Sequence, residues 1–378
     1  MKVMTVVGTR PEIIRLARVI DRLETTEGIE HVLVHTGQNY DHRLNQVFFD
    51  DLGLRAPDHY LDVDTSSLGA VLGGVLIAVE RVLLEERPDA LLVLGDTNSC
   101  IAVLMAKRLR IPTYHMEAGN RCFDENVPEE TNRRLVDHVA DFNLAYTEHA
   151  RRNLLAEGLH PRRVLVTGSP MREVLEHFRD RIEGSDVLER LDLTARGYLL
   201  VSAHREENVD APARLENLLD CLERAHRSTG LPLVVSTHPR TRNRIEALGR
   251  KVEGDIRWLE PFGFHDYNKL QIEAACVLSD SGTISEESSI LGFPAITLRD
   301  SIERPEALDA GAIVMTSLDA ADVERAIPLV IAGRDEPATM PLGYEVADTS
   351  RRVVRFMVST VGRHAGWLGL RTWDGPGG

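Results

Sequence analysis

Short apolar segments alternate with amphipathic segments along almost the whole chain. The amphipathic segments, such as PEIIRLARVIDRLE and ARLENLLDCLERAH, carry apolar residues at helical spacing. The apolar segments are rich in β-branched residues and end in turn or polar residues, which is typical of buried strands. In chain order they are KVMTVVGT, EHVLVHTG, DALLVLGD, IPTYHMEAG, FNLAYTE, RVLVTGSP, GYLLVSAH, LPLVVSTH, IRWLEPF, ACVLSDSG and FPAITLRD. Strands that are apolar on both faces and alternate with helices predict an α/β fold of parallel sheets covered by helices on both sides.

The strand series is interrupted after RVLVTGSP by a charged helical stretch, and new strands start at GYLLVSAH. We therefore predict two doubly wound, Rossmann-like domains, residues 1–169 and 170–348. In residues 349–378 we expect the helix SRRVVRFMVSTV to cross back to the first domain and the tail GLRTWDGPGG to be loose. Because open α/β sheets bind ligands at the carboxyl ends of their strands, two such domains facing each other would form a central binding cleft.

Length and charge limit the number of domains and the kinds of partner. A chain of 378 residues is long for one hydrophobic core, which favours two domains. It has 44 Lys and Arg against 59 Asp and Glu, a net charge of −15, so we expect neither nucleic acid nor an anionic membrane as a partner. No apolar run approaches the ~20 residues that span a bilayer, and the N-terminus does not resemble a signal peptide. We therefore expect a cytoplasmic protein.

No residue pattern indicates a metal, a disulfide framework or a redox cofactor. The four cysteines, Cys100, Cys122, Cys221 and Cys276, are far apart and form no C-x-x-C pair. Metal signatures such as H-E-x-x-H are absent, and so is the G-x-G-x-x-G fingerprint of nicotinamide and flavin binding. We therefore predict no cofactor and no metal.

A turn suited to an anionic group follows the first strand. Gly8 allows a tight turn, Pro11 suits the first turn of a helix, and Arg10 lies at the start of that helix. Because helix N-termini attract anions, the turn predicts a phosphate site. The alternative is an ordinary strand-to-helix turn without a ligand.

A second turn of this kind follows the strand ACVLSDSG. Ser281, Gly282 and Thr283 offer hydroxyls and backbone N–H groups at a helix start, which is a suitable cradle for a pyrophosphate. Glu286 and Glu287 follow on the helix, and one of them can accept both hydroxyls of a ribose. The alternative is a helix N-terminus with acidic residues favoured by the helix dipole. One such turn in each domain favours phosphate binding.

Ionisable residues cluster at strand ends and at one helix start. There, burial and like charges can raise the pKa of a carboxyl group into the range used for acid/base catalysis. For Glu129 and Glu130 the alternative is a solvated helix start, and for His204 and His238 a structural histidine. The cluster consists of Asp96, His115, Glu117, Glu129, Glu130, Arg133, His204 and Arg205.

These motifs together resemble the non-hydrolysing UDP-N-acetylglucosamine 2-epimerase family. The pattern of that family includes G-T-R-P-E, G-D-T, E-A-G-x-R, P-E-E-x-N-R, H-R-x-E-N, D-S-G and E-R-P-E, and all occur here in order between Gly8 and Glu306. The resemblance implies a glycosyltransferase-B-like pair of Rossmann domains, a homodimer, and an isomerase that inverts C2 of a UDP-linked 2-acetamido sugar. It also implies a role in making precursors of polysaccharides or glycoconjugates.

The resemblance further implies which residues act. Arg10 matches a phosphate-binding arginine, Glu287 the ribose-binding glutamate, and Tyr267 falls where the family has an aromatic residue beside the uracil. The implied catalytic residues are Asp96, Glu117, Glu129, Arg133 and His204. The implied UDP-sugar-binding residues are Arg10, Arg15, His238, Tyr267, Ser281, Gly282, Thr283, Glu287 and Arg304.

Three positions depart from the family pattern. Arg15 replaces a lysine, which keeps the charge but changes its geometry, and Thr283 replaces the second glycine of the D-S-G-G loop. Residues 36–39 read T-G-Q-N instead of T-G-Q-H, which weakens the expectation of allosteric activation by UDP-N-acetylglucosamine found in many bacterial members.

The substrate is not decided by these motifs. The stretches HTGQNYD, HMEAGNRCFDENVPEETNRR and VSAHREENVD look closest to the branch that makes UDP-N-acetyl-L-fucosamine from its 6-deoxy-L-talose epimer. The UDP-N-acetylglucosamine/UDP-N-acetylmannosamine pair remains an alternative. Three other functions also fit a fold of this kind: a glycosyltransferase that uses a UDP-sugar donor, a hydrolysing epimerase, and a non-catalytic UDP-sugar sensor.

Overall fold

The computed structural model describes residues 1–37, 49–336 and 339–370, which form two compact units. The first unit comprises Met1–Gly119, Thr131–Glu173 and the residues from Val346 onward. The second comprises Asn120–Glu130 and Val174–Glu345. This grouping places residues 120–130 with the second unit, whereas the domains predicted from the sequence placed them in the first.

The first unit contains a parallel sheet with seven strands in its described residues. The order across the sheet is β3-β2-β1-β4-β5-β6-β7, and every neighbouring pair is parallel. The strands are β1 (Lys2–Val7), β2 (Glu30–His35), β3 (His59–Tyr60), β4 (Ala90–Leu94), β5 (Thr113–Met116), β6 (Phe142–Ala145) and β7 (Val164–Val166).

The second unit contains a parallel sheet with six described strands. Its order is β10-β9-β8-β11-β12-β13. The strands are β8 (Leu199–Ser202), β9 (Leu233–Ser236), β10 (Ile256–Leu259), β11 (Cys276–Ser279), β12 (Ala295–Thr297) and β13 (Val314–Met315).

Helices connect the strands in both units. In chain order the helices of the described residues include α1 (Arg10–Thr25), α2 (Leu68–Glu86), α3 (Ala102–Arg108), α4 (Pro128–Val139), α5 (Glu148–Ala156), α6 (Met171–His177), α7 (Arg179–Glu183), α8 (Val187–Arg190), α9 (Glu206–Val209), α10 (Pro212–Thr229), α11 (Pro239–Leu248), α12 (Phe264–Glu273), α13 (Ile284–Leu291), α14 (Glu306–Asp309), α15 (Ala320–Ala332), α16 (Thr349–Thr360) and α17 (His364–Leu368). Short 3₁₀ turns occur at Asn98–Ile101, Pro161–Arg163, Gly333–Asp335 and Val361–Arg363.

Within the described residues, no helix is both long enough and apolar enough to cross a bilayer.

Both faces of the central strands, such as β4, β8 and β11, are buried, which confirms the predicted α/β architecture. In β8, Leu199 and Val201 belong to one apolar cluster, with α10 and α15, whereas Leu200 belongs to another, with α12 and α13. In β1, Met4 and Val6 belong to a cluster with α2 and α3, and Val3 is buried as well. Strands of this kind must be covered on both sides, because neither face can be left in water.

Every strand predicted from the sequence is present, and two further strands were missed. These are β3 and β13, each only two residues long and each at the edge of its sheet. Segments this short lack an apolar run that would distinguish them from loops.

The C-terminal helix α16 belongs to the first unit. The Thr360 hydroxyl lies 2.7 Å from the hydroxyl of Tyr114, and Arg22 on α1 donates to the Ser350 hydroxyl at 2.7 Å. Residues 371–378, most of the predicted loose tail, lie outside the described residues.

The strand order reverses once in each sheet, between β1 and β4 in the first and between β8 and β11 in the second. At such a switch point the connections leave in opposite directions, so a crevice forms outside the carboxyl ends of the two strands. The sequence motifs G-T-R-P-E and G-D-T follow β1 and β4, and H-R-x-E-N and D-S-G follow β8 and β11. Each unit therefore presents two motifs at its switch point.

Candidate active site

In the first unit, the turns after β1 and β4 are joined through Glu12. This residue reaches back from α1 to accept hydrogen bonds from the backbone N–H groups of Gly8 at 2.8 Å and Thr9 at 2.7 Å. Its second oxygen accepts from the hydroxyl of Thr97 at 2.9 Å, in the turn after β4. Glu12 is only 1% exposed, and burial raises its pKa although these hydrogen bonds oppose the shift. The hydrogen bonds to Glu12 therefore connect the two turns rigidly. Arg10 is the first residue of α1.

Asp96 and Arg133, two of the predicted catalytic residues, form an ion pair. Arg133 Nη2 lies 2.5 Å from Asp96 Oδ2, and the neighbouring Asn132 donates to the Asp96 backbone carbonyl at 3.0 Å. The side chain of Arg133 is 3% exposed and that of Asp96 is 21% exposed. The carboxylate thus keeps access to solvent, whereas the guanidinium is enclosed behind it.

Glu117 and Arg15 form a second ion pair, which is buried. Glu117 follows β5 in the left-handed region, with φ of 65°, a strained conformation for a residue with a side chain. A Cβ atom placed on Gly95 would lie 3.8 Å from Glu117 Oε2, so the carboxylate reaches the turn that contains Asp96. Strain of this kind persists where the surrounding structure imposes it, often at functional sites.

His115, named with Glu117 in the sequence cluster, has a structural role. Its ring is fully buried, with Nδ1 2.9 Å from Asp137 Oδ1 and Nε2 2.6 Å from the Gly95 carbonyl. Both ring nitrogens therefore have partners within the protein, and the histidine holds the turn after β4 in place.

Arg10 supplies a further cation at the switch point of the first unit. It is partly buried, and burial lowers its pKa. The predicted residues of this unit are thus Arg10, the Arg15–Glu117 pair and the Asp96–Arg133 pair.

In the second unit, Asp280 joins the ends of β8 and β11. Its carboxylate accepts the backbone N–H groups of His204 and Arg205, each at 3.0 Å, and the side-chain amide of Asn208 at 3.1 Å. Asp280 has no exposed surface. His204 Nδ1 also lies 3.7 Å from Asp280 Oδ1. Four nitrogen atoms of residues 204–208 therefore contact this one buried carboxylate.

The imidazole rings of His204 and His238 lie side by side, with their centroids 6.3 Å apart. The His204 side chain is 44% exposed. His238 precedes α11, and its Nδ1 accepts the backbone N–H of Arg240 at 3.3 Å. The structure therefore gives His238 the role of capping a helix and leaves His204 open to solvent.

The loop 281–283, predicted as a pyrophosphate cradle, is held by several hydrogen bonds. The hydroxyls of Ser281 and Thr283 are 2.9 Å apart, and the Thr283 N–H donates to Ser281 Oγ at 3.3 Å. The Gly282 carbonyl accepts from Arg304 Nη1 at 2.9 Å. Arg304 is only 2% exposed, and its Nε also lies 3.2 Å from Glu286 Oε2. It therefore contacts the loop from the buried side.

Glu287 and Tyr267, predicted at the ribose and the uracil, lie near each other. Glu287 Oε2 accepts from the side-chain amide of Gln271 at 2.6 Å. Burial, and then the charge of Glu287, raise the pKa of Tyr267. The partly buried phenol therefore stays neutral beside this carboxylate.

Glu129 lies in the first turn of α4, among the charges around Arg205. Arg205 Nη1 is 3.2 Å from Glu207 Oε1, and its Nη2 is 3.6 Å from Glu303 Oε1. Burial alone would lower the pKa of Arg205, but the carboxylates of Glu303, Glu207 and Glu129 outweigh it and raise the pKa. The guanidinium is therefore a permanent positive charge beside Glu129.

The described residues contain no group of three or more His, Cys, Asp and Glu side chains arranged to hold a metal ion. All four cysteines are buried and none forms a disulfide. Burial raises the pKa of Cys100 and of Cys276, which disfavours the thiolate form that a nucleophile needs.

The whole chain is similar to proteins of one family. The family model described as UDP-N-acetylglucosamine 2-epimerase matches residues 21–358. The chain belongs to the UDP-N-acetylglucosamine 2-epimerase family. The structure of the UDP-N-acetylglucosamine 2-epimerase from Rickettsia bellii is similar with a TM-score of 0.91 and 43% identity, over 98% of this chain and 100% of that one.

Two further relatives have names that mention ligands or substrates. The structure of the UDP-GlcNAc 2-epimerase from Methanocaldococcus jannaschii, in complex with UDP-GlcNAc and UDP, is 34% identical with a TM-score of 0.89, over 95% of this chain and 100% of that one. The UDP-2,3-diacetamido-2,3-dideoxy-D-glucuronate 2-epimerase from Pseudomonas aeruginosa is 35% identical, over 83% of this chain and 88% of that protein. The fold and the isomerase class expected from the sequence are therefore confirmed by this 2-epimerase family.

Sequence reasoning assigned no role to four residues that hold the candidate site in place. Glu12, Asp280 and Glu303 are buried carboxylates that hold turns or cations in place, and Arg205 was named only as a neighbour of His204. The spacing of Thr9 and Glu12 is a recognisable helix-capping signal. The partners of Asp280 lie too far away in sequence for any local pattern to reveal them. The same holds for the contact of Glu303 with Arg205, whereas Arg299 and Arg304 are near Glu303 in the chain.

Proposed function

We propose that this chain inverts C2 of a UDP-linked 2-acetamido sugar by elimination and re-addition of UDP. The residues shared with the 2-epimerase family occupy the carboxyl ends of β1, β4 and β5 in the first unit and of β8 and β11 in the second. This placement at the switch points of both sheets is the observation that supports the proposed activity.

The chemistry explains why carboxylates and cations are both needed. The C2–H bond lies beside an acetal carbon and is not acidified by a carbonyl group. In the first step a base takes the C2 proton, the electron pair of C2–H forms the C1=C2 bond, and the C1–O bond breaks to release UDP. In the second step UDP oxygen adds back to C1 while a proton is delivered to the opposite face of C2. Nothing is oxidised or reduced overall.

The residues divide into two roles under this proposal. Glu117 and Asp96 in the first unit and Glu129 in the second are the candidates for proton transfer, a role that typically contributes ~10²–10⁴ in rate. Arg10, Arg133, His204 and the loop 281–283 stabilise the departing diphosphate through charge and hydrogen bonds. The exposed face of His204 and the partly exposed carboxylate of Asp96 suit groups that contact a substrate.

Two substrate pairs fit the proposal. UDP-N-acetylglucosamine and UDP-N-acetylmannosamine are supported by the ligand of the M. jannaschii structure. The 6-deoxy-L-talose and L-fucosamine pair is supported by the sequence stretches that resemble that branch. The P. aeruginosa relative, named for a diacetamido glucuronate, adds a third compound to test.

Proton NMR in D₂O tests the activity and the substrate together. The purified protein, treated with chelator, is incubated separately with each of the three UDP-sugars while the C2 proton and the ratio of epimers are followed. Loss of the C2 signal with appearance of the epimer from one compound is the expected result. Absence of exchange with all three, despite binding of UDP, would exclude this activity and favour a glycosyltransferase or a sensor. Release of free N-acetylmannosamine and UDP would instead indicate a hydrolysing epimerase.

The homodimer implied by the family resemblance stays a prediction. Light scattering coupled to size-exclusion chromatography would give twice the chain mass of 42.2 kDa for a dimer.

A further inference from the structure

We propose that Glu303 is the positioning residue of the diphosphate-binding loop, an inference that rests on the proposed function of that loop. Its carboxylate lies among three guanidiniums and is only 5% exposed. Oε2 lies 2.5 Å from Arg299 Nη1, and Oε1 lies 3.2 Å from Arg304 Nη1 and 3.6 Å from Arg205 Nη2. Glu303 is therefore the one carboxylate among those named that all three arginines share.

Glu303 also lies directly against the loop. A Cβ atom placed on Gly282 would be 2.4 Å from Glu303 Oε1 and 2.9 Å from Arg304 Nη1, so only glycine fits between the loop and these two side chains. The backbone of Gly282 is not in the left-handed region, since its φ is not positive. Its missing side chain is therefore explained by close approach and not by conformation.

The contact between Arg304 and the loop determines the direction of a backbone donor. Arg304 Nη1 donates to the Gly282 carbonyl at 2.9 Å. Because the peptide unit is planar, fixing this carbonyl also fixes the Thr283 N–H, which points the opposite way and donates to Ser281 Oγ at 3.3 Å. Glu303 on one side and Glu286 on the other, 3.2 Å from Arg304 Nε, hold the guanidinium in the plane it needs. Glu303 thus acts on the cradle through Arg304 and does not itself touch the ligand.

Glu303→Gln tests this role, since it keeps the shape of the side chain and removes its charge. Arg304 and Arg205 would keep Glu286 and Glu207, but the carboxylate that the three arginines share would be gone. Their mutual repulsion would increase, and Arg304 would release the Gly282 carbonyl. We expect UDP to bind roughly 10- to 100-fold more weakly by calorimetry, and KM for the UDP-sugar to rise more than kcat falls. Unchanged affinity for UDP would overturn the proposal.

Glu306→Gln is the matched control. Glu306 is also a buried carboxylate, only three residues away, but it accepts a hydrogen bond from the Tyr344 hydroxyl at 2.7 Å. Burial raises its pKa, and the amide oxygen of glutamine can still accept the hydrogen bond from Tyr344. We expect this variant to bind UDP like the unaltered protein. If both variants lose affinity to the same extent as they lose thermal stability, Glu303 has only a structural role.

A second pair of variants tests the contact without removing the charge. Gly282→Ala places a methyl group against Glu303 Oε1, so we expect weak UDP binding. Glu303→Asp withdraws the carboxylate by one methylene, which makes room for that methyl group. The double variant should bind UDP more tightly than Gly282→Ala alone. If the loss of UDP affinity in the double variant equals the sum of the losses in the two single variants, the proposed contact is contradicted.

UDP binding separates this inference from the proposed function. If the unaltered protein binds UDP but epimerises none of the sugars, the proposed function fails, while weaker UDP binding by Glu303→Gln would still support the positioning role. If the unaltered protein epimerises and Glu303→Gln binds UDP equally well, only the positioning role fails.

Discussion

The Oδ2 atom of Asp280 lies 3.0 Å from the backbone nitrogen of His204. These residues are far apart in sequence but follow β11 and β8, which are neighbours at the switch point of the second sheet. The aspartate of D-S-G therefore orients the histidine of H-R-x-E-N. Asp280 holds the backbone of His204 in place. The imidazole of His204 is exposed and is available for a ligand.

Asp280→Asn should disturb the turn that carries His204. The amide oxygen can take the place of Oδ2, but the NH₂ group then faces the backbone N–H of His204, which Asp280 Oδ1 now accepts at 3.1 Å. We expect a loss of about 1–3 kcal/mol in the free energy of unfolding, measured by denaturant titration, and weaker UDP binding. Asp300→Asn is the control, because Asp300 is 51% exposed in its ion pair with Arg214 and should change stability by less than about 0.5 kcal/mol. Equal effects of the two substitutions would contradict this role of Asp280.

Glu117→Gln should affect turnover and not UDP binding. The carboxylate is a candidate for proton transfer, whereas in the proposed function other groups, such as Arg10 and the loop 281–283, contact the diphosphate. We expect kcat for epimerisation to fall by ~10²–10⁴, with roughly unchanged UDP affinity by calorimetry. Glu86→Gln is the control in the same unit, since Glu86 pairs with Lys2 at the amino end of β1, the opposite edge of the sheet. A Glu117→Gln variant that keeps full kcat would remove Glu117 from the catalytic set.

The buried ion cluster around Asp141 should make the stability of the first unit depend on pH. Burial alone would raise the pKa of Asp141, but His364 and Lys107 lower it from 3.8 to about 2. Because the pKa is lower in the folded state, its contribution of about 2 kcal/mol is present above pH ~4 and is lost as the pH falls towards 2. Asp141→Asn should therefore be less stable at pH 7, and its deficit relative to the unaltered protein should shrink between pH 4 and 2. Acid titration of both proteins by circular dichroism measures this, and a deficit that is constant with pH would contradict it.

Gly119→Ala should be strongly destabilising, whereas Gly73→Ala should not. Gly119 has φ of +85°, and a Cβ atom there would lie 2.3 Å from the Ala150 carbonyl, a backbone atom that cannot easily move. Gly73 lies inside α2 with no heavy atom within 4 Å of the new Cβ, so alanine should stabilise the helix by about 0.5–1 kcal/mol. Thermal unfolding of the two variants compares them. A Gly119→Ala protein as stable as the unaltered one would show that this close approach can relax.

Much of the fold was predictable because its signals are local. Apolar runs that are buried on both faces, as in β8, identify parallel strands without any tertiary information. The turns at Gly8 and Ser281 were predictable for the same reason, since their residue types suit a helix start after a strand. The two-residue strands β3 and β13 were missed because they exist only through pairing with a neighbour.

The sequence by itself determined the α/β class, the alternation of elements and the motifs that follow the strands, because each depends on residues close together in the chain. Only the tertiary structure decided which of these turns are neighbours. The order β3-β2-β1-β4 brings Thr97 to Glu12, and the order β9-β8-β11 brings Asp280 to His204. Strand order results from how helices and sheet pack together, and periodicity along the chain carries no information on it. For the same reason the role of a buried carboxylate such as Asp280 became visible only when its distant partners were in place.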